Sequence, residues 1–209
     1  MLGHAKTLIR LIDVIFLISL SSCVCMQAHA TTLNTDLQII KLRNGFNEVH
    51  FEGLNYKTLV VVAHRENYNA HSYDVTTIYV DYKPTGKYET PGLQIIPIIE
   101  KDEKNTLNLL TSGGADCVLD DFRILNNTQT HETLVIYADR KFGETFVDSE
   151  PVTFTYYKLA FDKDEIPGFP PFSFEYWKTV QTQQKYCDVE KAFAAELGLG
   201  MYRTDIQDQ

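Results

Sequence analysis

The chain has 209 residues, 44% of them hydrophobic, and a formal net charge of −9. That length and apolar content suffice to bury the core of one domain and fall short of several. The acidic balance and the lack of any basic cluster exclude nucleic acid and anionic lipid as partners; a cation or a basic protein is the better match, although such a charge also serves solubility alone.

Residues 1–30 read as a secretory signal peptide. Lys6 and Arg10 precede the apolar run LIDVIFLISL, broken only by Asp13, and Ala28-His29-Ala30 supplies the small-residue cleavage site. The run is too short for a permanent transmembrane helix, and nothing later is apolar enough for one. Export to the periplasm follows. The alternative is a lipoprotein anchored at Cys23, because Leu20-Ser21-Ser22-Cys23 resembles a lipoprotein cleavage box. Cleavage after Ala30 leaves Cys117 and Cys187, an even pair suited to one disulfide, whereas cleavage before Cys23 leaves Cys25 as a spare thiol. The mature chain is then a single domain, residues 31–209. Dropping Lys6, Arg10 and Asp13 from 19 basic and 28 acidic residues brings its charge to −10.

Nearly every later segment reads as a strand. Leu37–Leu42 is apolar and is followed by Asn44-Gly45, a hairpin signal because both residues accept positive φ. Phe46–Glu52 alternates. Thr58–Ala63 (TLVVVA) is a continuous β-branched run, which predicts cover on both faces. Tyr73–Tyr82 alternates up to Pro84-Thr85-Gly86. Leu93–Ile99 contains Pro97, which predicts a sheet edge or a bulge because proline cannot donate to the ladder. Thr106–Thr111, Val118–Leu125, Thr133–Ala138, Val152–Phe161 and Phe172–Val180 complete the strands, the last two separated by the proline loop IPGFPP. Asp188 caps one helix, Val189–Leu197, which Gly198 ends. About ten strands with frequent turns predict an all-β fold, an antiparallel β-sandwich with a short C-terminal α-helix.

A faint repeat relates KTLVVVAHR (Lys57–Arg65) to ETLVIYADR (Glu132–Arg140). Convergence on strand-favouring residues explains most of it, but not the shared arginine.

Polar groups concentrate in three loops. One holds His64, Glu66, Asn67, His71 and Asp74. Another, Asp139–Glu150, holds Asp139, Glu144 and Asp148. The third is Ser112–Asp121, with Gly113-Gly114, Asp116 and Cys117. Oxygens from Asp116, Asp139, Glu144 and Asp148 suit a hard cation such as calcium, though turn formation and capping are the plainer role of each. Gly113-Gly114 permits positive φ, a tight bend or a bulge. A Cys117–Cys187 disulfide would tie the third loop to the segment before the helix; two buried thiols, or pairing with another chain, are the alternatives. The aromatics Phe169, Phe172, Phe174, Tyr176 and Trp177 serve core packing or a protein-facing surface. There is no G-x-S-x-G elbow, no serine followed three residues later by lysine, no H-E-x-x-H and no glycine-rich phosphate loop, so no catalytic residue is assigned.

The segments HRENYNAHSYDV (His64–Val75), SGGADC (Ser112–Cys117), VTFTYY (Val152–Tyr157) and KYCDV (Lys185–Val189) together resemble the carbapenem intrinsic resistance family of the CarG type. The resemblance implies a periplasmic β-sandwich akin in fold to inhibitors of invertebrate-type lysozyme. It also implies a homodimer that binds a cation and protects against carbapenem without being a β-lactamase. The expected function is non-enzymatic protection, by sequestering a β-lactam or shielding a cell-wall enzyme. Inhibition of a lysozyme-like enzyme is the alternative, and a metal-dependent hydrolase using His64 or His71 is the third.

Overall fold

The computed structural model describes residues 37–82, 92–114, 116–164 and 166–203. The signal segment and the break at Pro84-Thr85-Gly86 lie outside the described residues. The strands are β1 (Leu37–Ile39), β2 (Gly45–Val49), β3 (Thr58–Arg65), β4 (Tyr73–Tyr82), β5 (Gly92–Ile95), β6 (Ile98–Ile99), β7 (Asn105–Thr106), β8 (Leu109–Gly113), β9 (Val118–Asn127), β10 (Glu132–Arg140), β11 (Glu150–Phe161) and β12 (Phe172–Tyr186). The helix α1 (Val189–Leu197) follows.

The all-β expectation holds, but two stacked sheets are not what the hydrogen bonds draw. The strands form one mostly antiparallel sheet in the order β2-β3-β4-β8-β9-β10-β11-β12-β6-β7, with β1 on β9 and β5 on β4. The sheet curls instead. Strands β4 and β12 lie far apart in that order, yet the Tyr82 and Phe172 rings meet at 5.2 Å. The segment from β5 to β6 joins the two strands. Ile96 donates its N–H to the Ile78 carbonyl, and the Pro97 carbonyl accepts from Phe174 N–H, both at 2.8 Å. Pro97 is thus where the chain leaves one strand partner for another, as a residue without an N–H can.

Two cores result. Alternation sends Phe122, Ile124 and Val135 into the curl with Val60, Ile78 and Phe174. It sends Leu125, Leu134, Ile136 and Phe154 to the other face, against Val189 and Phe193 of α1. Strand β10 is therefore covered on both sides. Strand β3 is not: Thr58, Val60 and Val62 are buried while Leu59 and Val61 are half-open. The Asn44-Gly45 hairpin is also overturned. Gly45 has φ of 93°, but β1 pairs with β9 and β2 with β3. Turn chemistry fixed the local bend, while β1 packs its half-buried Leu37 and Ile39 against the core that holds Leu125 of β9.

The helix forms as its caps require. The Asp188 carboxylate accepts from Glu190 N–H at 2.8 Å, and Gly198 adopts the left-handed conformation at φ 61°. Beneath the helix sits Arg123, 0% exposed. Its guanidinium donates to Asp121 at 2.6 Å, to Glu190 at 2.5 Å and to the Gly200 carbonyl at 2.8 Å. It lies over the Phe193 ring at 4.2 Å and the Tyr202 ring at 5.0 Å. The Cys117–Cys187 disulfide is present, with 5.6 Å between Cα atoms.

The bridge closes a loop with a sequence separation of 70. Replacing both cysteines by serine should lower the unfolding free energy by about 4 kcal/mol, read by urea denaturation. A pH dependence follows from the helix clamp. Burial first, then the neighbouring Asp121, pushes the Glu190 carboxyl up from 4.5 to about 8. The folded state keeps a proton that the unfolded state releases, so stability should fall as pH rises from about 4.5 to about 8 and level off above. Glu190→Gln should flatten that slope in denaturation curves taken across the window.

Candidate functional site

Sheet order brings the three polar loops together. The connections β3–β4, β8–β9 and β10–β11 all turn at one end of neighbouring hairpins. The His71 ring packs on Phe146 at 4.4 Å, and its Nδ1 donates to the Gly113 carbonyl at 3.2 Å. The Phe142 ring meets Phe146 edge-on at 4.8 Å. Phe146 is thus the hub of the three loops.

Each loop is braced from within. In the first, the Glu66 carboxylate accepts from Tyr68 N–H at 2.5 Å and from the Ser72 hydroxyl at 2.8 Å. The Ser72 hydrogen bond, then that from Tyr68, holds the Glu66 carboxyl below its ordinary value. Asn67 Nδ2 donates to the His71 carbonyl, and His71 N–H donates to the Asn69 side chain, both at 2.8 Å. At the base of this loop, His64 Nδ1 pairs with Asp74 at 2.8 Å, and Asp74 takes a second bond, from Arg203, at 2.5 Å. The 141–149 loop is held by buried Arg140, which donates to the Phe146 and Asp148 carbonyls, both at 2.5 Å. The arginines shared by the repeat therefore both sit at loop bases. Arg65, its counterpart, is exposed and bonds the Tyr73 hydroxyl.

Between the first and third loops lies a shallow cavity of about 180 Å³, lined by His64, Ser72, Asp74, Thr111, Ser112 and Gly113. The hydroxyls there are already engaged: Ser112 donates to Asp120 at 2.5 Å and Thr111 to Asp121 at 2.8 Å. A larger cleft of about 460 Å³ opens elsewhere, by Glu103, Phe169, Glu175 and Tyr176.

The carboxylates expected to hold a cation have different surroundings. Asp148 Oδ2 caps Thr145 N–H at 2.7 Å, and that bond holds its carboxyl low. Asp139 lies opposite Asp120 across β9 and β10. Burial raises Asp139 and the Asp120 charge adds to it; burial also raises Asp120, against hydrogen bonds from Ser112 and Tyr137. Asp116 and Glu144 are exposed in separate loops. Among the described residues no group of three or more His, Cys, Asp or Glu is placed to hold a metal ion. Sequence reading missed Tyr68, Asp120, Phe146 and Arg203. Only Asp120 carried a signal, since its carboxylate and that of Asp139 both fall on strands where an apolar residue is usual.

The profile described as "Carbapenem resistance protein CarG-like" matches residues 42–195. The chain belongs to the CarG-like family. It is a carbapenem-resistance-associated protein on that ground. The crystal structure of CarG shares its fold, with a TM-score of 0.58 and 24% sequence identity over 75% of this chain and 93% of that one. No curated protein matches by sequence. No helix among the described residues is long and apolar enough to cross a membrane.

Within this CarG-like fold the glycine pair has a steric purpose. Neither Gly113 nor Gly114 has positive φ; the bulge between Ser112 and Gly113 is what the pair supplies. A Cβ on Gly113 would lie 2.4 Å from the Cys117 carbonyl oxygen, whereas on Gly114 its nearest neighbours would be atoms of the Phe146 side chain, from 3.3 Å. Gly113→Ala should therefore cost about 1–3 kcal/mol and Gly114→Ala distinctly less, read as thermal midpoints.

Proposed function

We propose that this member of the family is an exported, non-enzymatic protective protein that acts by contact at the three-loop end. One observation carries the reading: three braced loops meet at this end, and the cavity between the first and third of them is only about 180 Å³. Pockets that hold drug-sized ligands run to roughly 300–1,000 Å³. Shielding a cell-wall enzyme therefore fits this end better than sequestering a β-lactam in it. The hydroxyls of Ser72, Ser112 and Thr111 donate to Glu66, Asp120 and Asp121, which braces the first loop from within and ties together the strands flanking the third.

Export of the full chain to the periplasm of a sensitive strain should raise the carbapenem inhibitory concentration. The purified protein should leave carbapenem absorbance unchanged. A raised concentration with absorbance loss that a chelator stops would replace this reading with a metal-dependent hydrolase; no rise at all would refute it.

Inhibition of a lysozyme-like enzyme is the second reading. The net charge of −9 favours it, because many lysozymes are basic, and lysozyme assays with the protein in excess decide it. The cation and the homodimer implied by the family resemblance belong to the same proposal. The half-buried Asp120–Asp139 pair is where repulsion between carboxylates calls for a cation, and calcium titration and light scattering read the two.

A further inference from the structure

Tyr68 stands out on the three-loop end. It is 96% exposed, so its ring packs on almost nothing of its own chain. Its φ is 56°, a left-handed conformation that a bulky side chain adopts only when its surroundings impose it. The surroundings do impose it: Glu66 holds Tyr68 N–H from one side, while Asn67, Asn69 and Ser72 fix the chain on both flanks. The ring that this tightly bonded loop lifts into water adds almost no packing to the fold.

The neighbouring loop adds Phe142, 55% exposed, and Val147, 54% exposed. Phe146 and His71 join the two loops. Exposed Trp177 is placed differently, resting against Lys158 and Lys178. Charge selects the kind of partner. Of the nine acidic residues in the loops 64–74, 112–121 and 139–150, Asp74, Asp121 and Glu150 are paired with Arg203, Arg123 and Lys185; Glu66, Asp116 and Glu144 face solvent against Arg65 and Lys141, and Arg140 is spent on loop carbonyls.

We infer that Tyr68 is a preorganised anchor that inserts into a cleft with a basic rim on a protein partner, with Phe142 and Val147 packing beside it. The inference rests on the contact function proposed above. Tyrosine suits the part: it has a large rigid body, few rotors to freeze, and a hydroxyl for the cleft floor. Because the loop is already ordered, binding loses little further entropy.

The test uses the full chain in carbapenem-challenged cells. A photo-cross-linking phenylalanine analogue replaces Tyr68 in one version and Trp177 in another. Position 68 should give one discrete adduct with a different protein, identified by mass spectrometry, and position 177 none. With that protein purified, Tyr68→Ala should weaken binding by about 30-fold or more, Tyr68→Phe far less. Tyr68→Gly should lose binding equally while its thermal midpoint holds or rises, because the strain is relieved. The inference is overturned if the wild-type chain protects cells yet position 68 gives no adduct, if the adduct is a second copy of this chain, or if Tyr68→Ala binds as well as wild type. Failure of the wild-type chain to protect at all instead sinks the contact function beneath it.

Discussion

A single buried guanidinium organises this fold. Arg123 has no solvent to share its charge with, so its donors must all be met within the protein. Asp121 meets one from its own strand, Glu190 one from the helix, and Gly200 one from the segment beyond it. Satisfying that one side chain fixes where α1 lies and where the C-terminal segment runs. The rings of Phe193 and Tyr202 close over it from both elements.

That clamp reaches the three-loop end. The segment that supplies Gly200 and Tyr202 continues to Arg203, whose guanidinium holds Asp74. Asp74 in turn orients His64 at the base of the first loop. Tyr202 also shares a 3.2 Å hydroxyl contact with Thr111 at the start of the third. The disulfide pins Cys117, within the third loop, to Cys187 just ahead of the helix. Two independent ties thus run from the helix region to the loops, and Arg140 braces the remaining loop from below. The result is a preformed end, the kind of surface that gains affinity by having little left to order.

Local chemistry was the legible part of the chain. The helix caps Asp188 and Gly198, the cysteine pair and the glycine bulge all follow from local residue chemistry; Pro97, expected to mark an edge or a bulge within one strand, instead separates β5 from β6. The curl of the sheet was not legible. Alternation tells which face of a strand is buried, not whether the cover comes from a second sheet or from the far end of the same one. The Asn44-Gly45 bend misled for a related reason, since it sets direction and not partner. Arg123 looked like an ordinary strand residue, although Asp121 and Arg123 two apart share one face of β9, and a charge pair beside Phe122 and Ile124 is a trace of the clamp. Tyr68 and Phe146 left no trace, because exposure at a loop tip and contact between loops are settled only in three dimensions.

The idea that most of this depends on is a loop end that is rigid before it meets anything. Amide hydrogen exchange across residues 66–72 of the free protein tests it most directly. The Tyr68 N–H is bonded to Glu66 and the His71 N–H to Asn69, so both should exchange well below the rate of an open loop, and Glu66→Ala should release the Tyr68 amide. Exchange of this stretch at unprotected rates in the wild-type chain would contradict a preformed end.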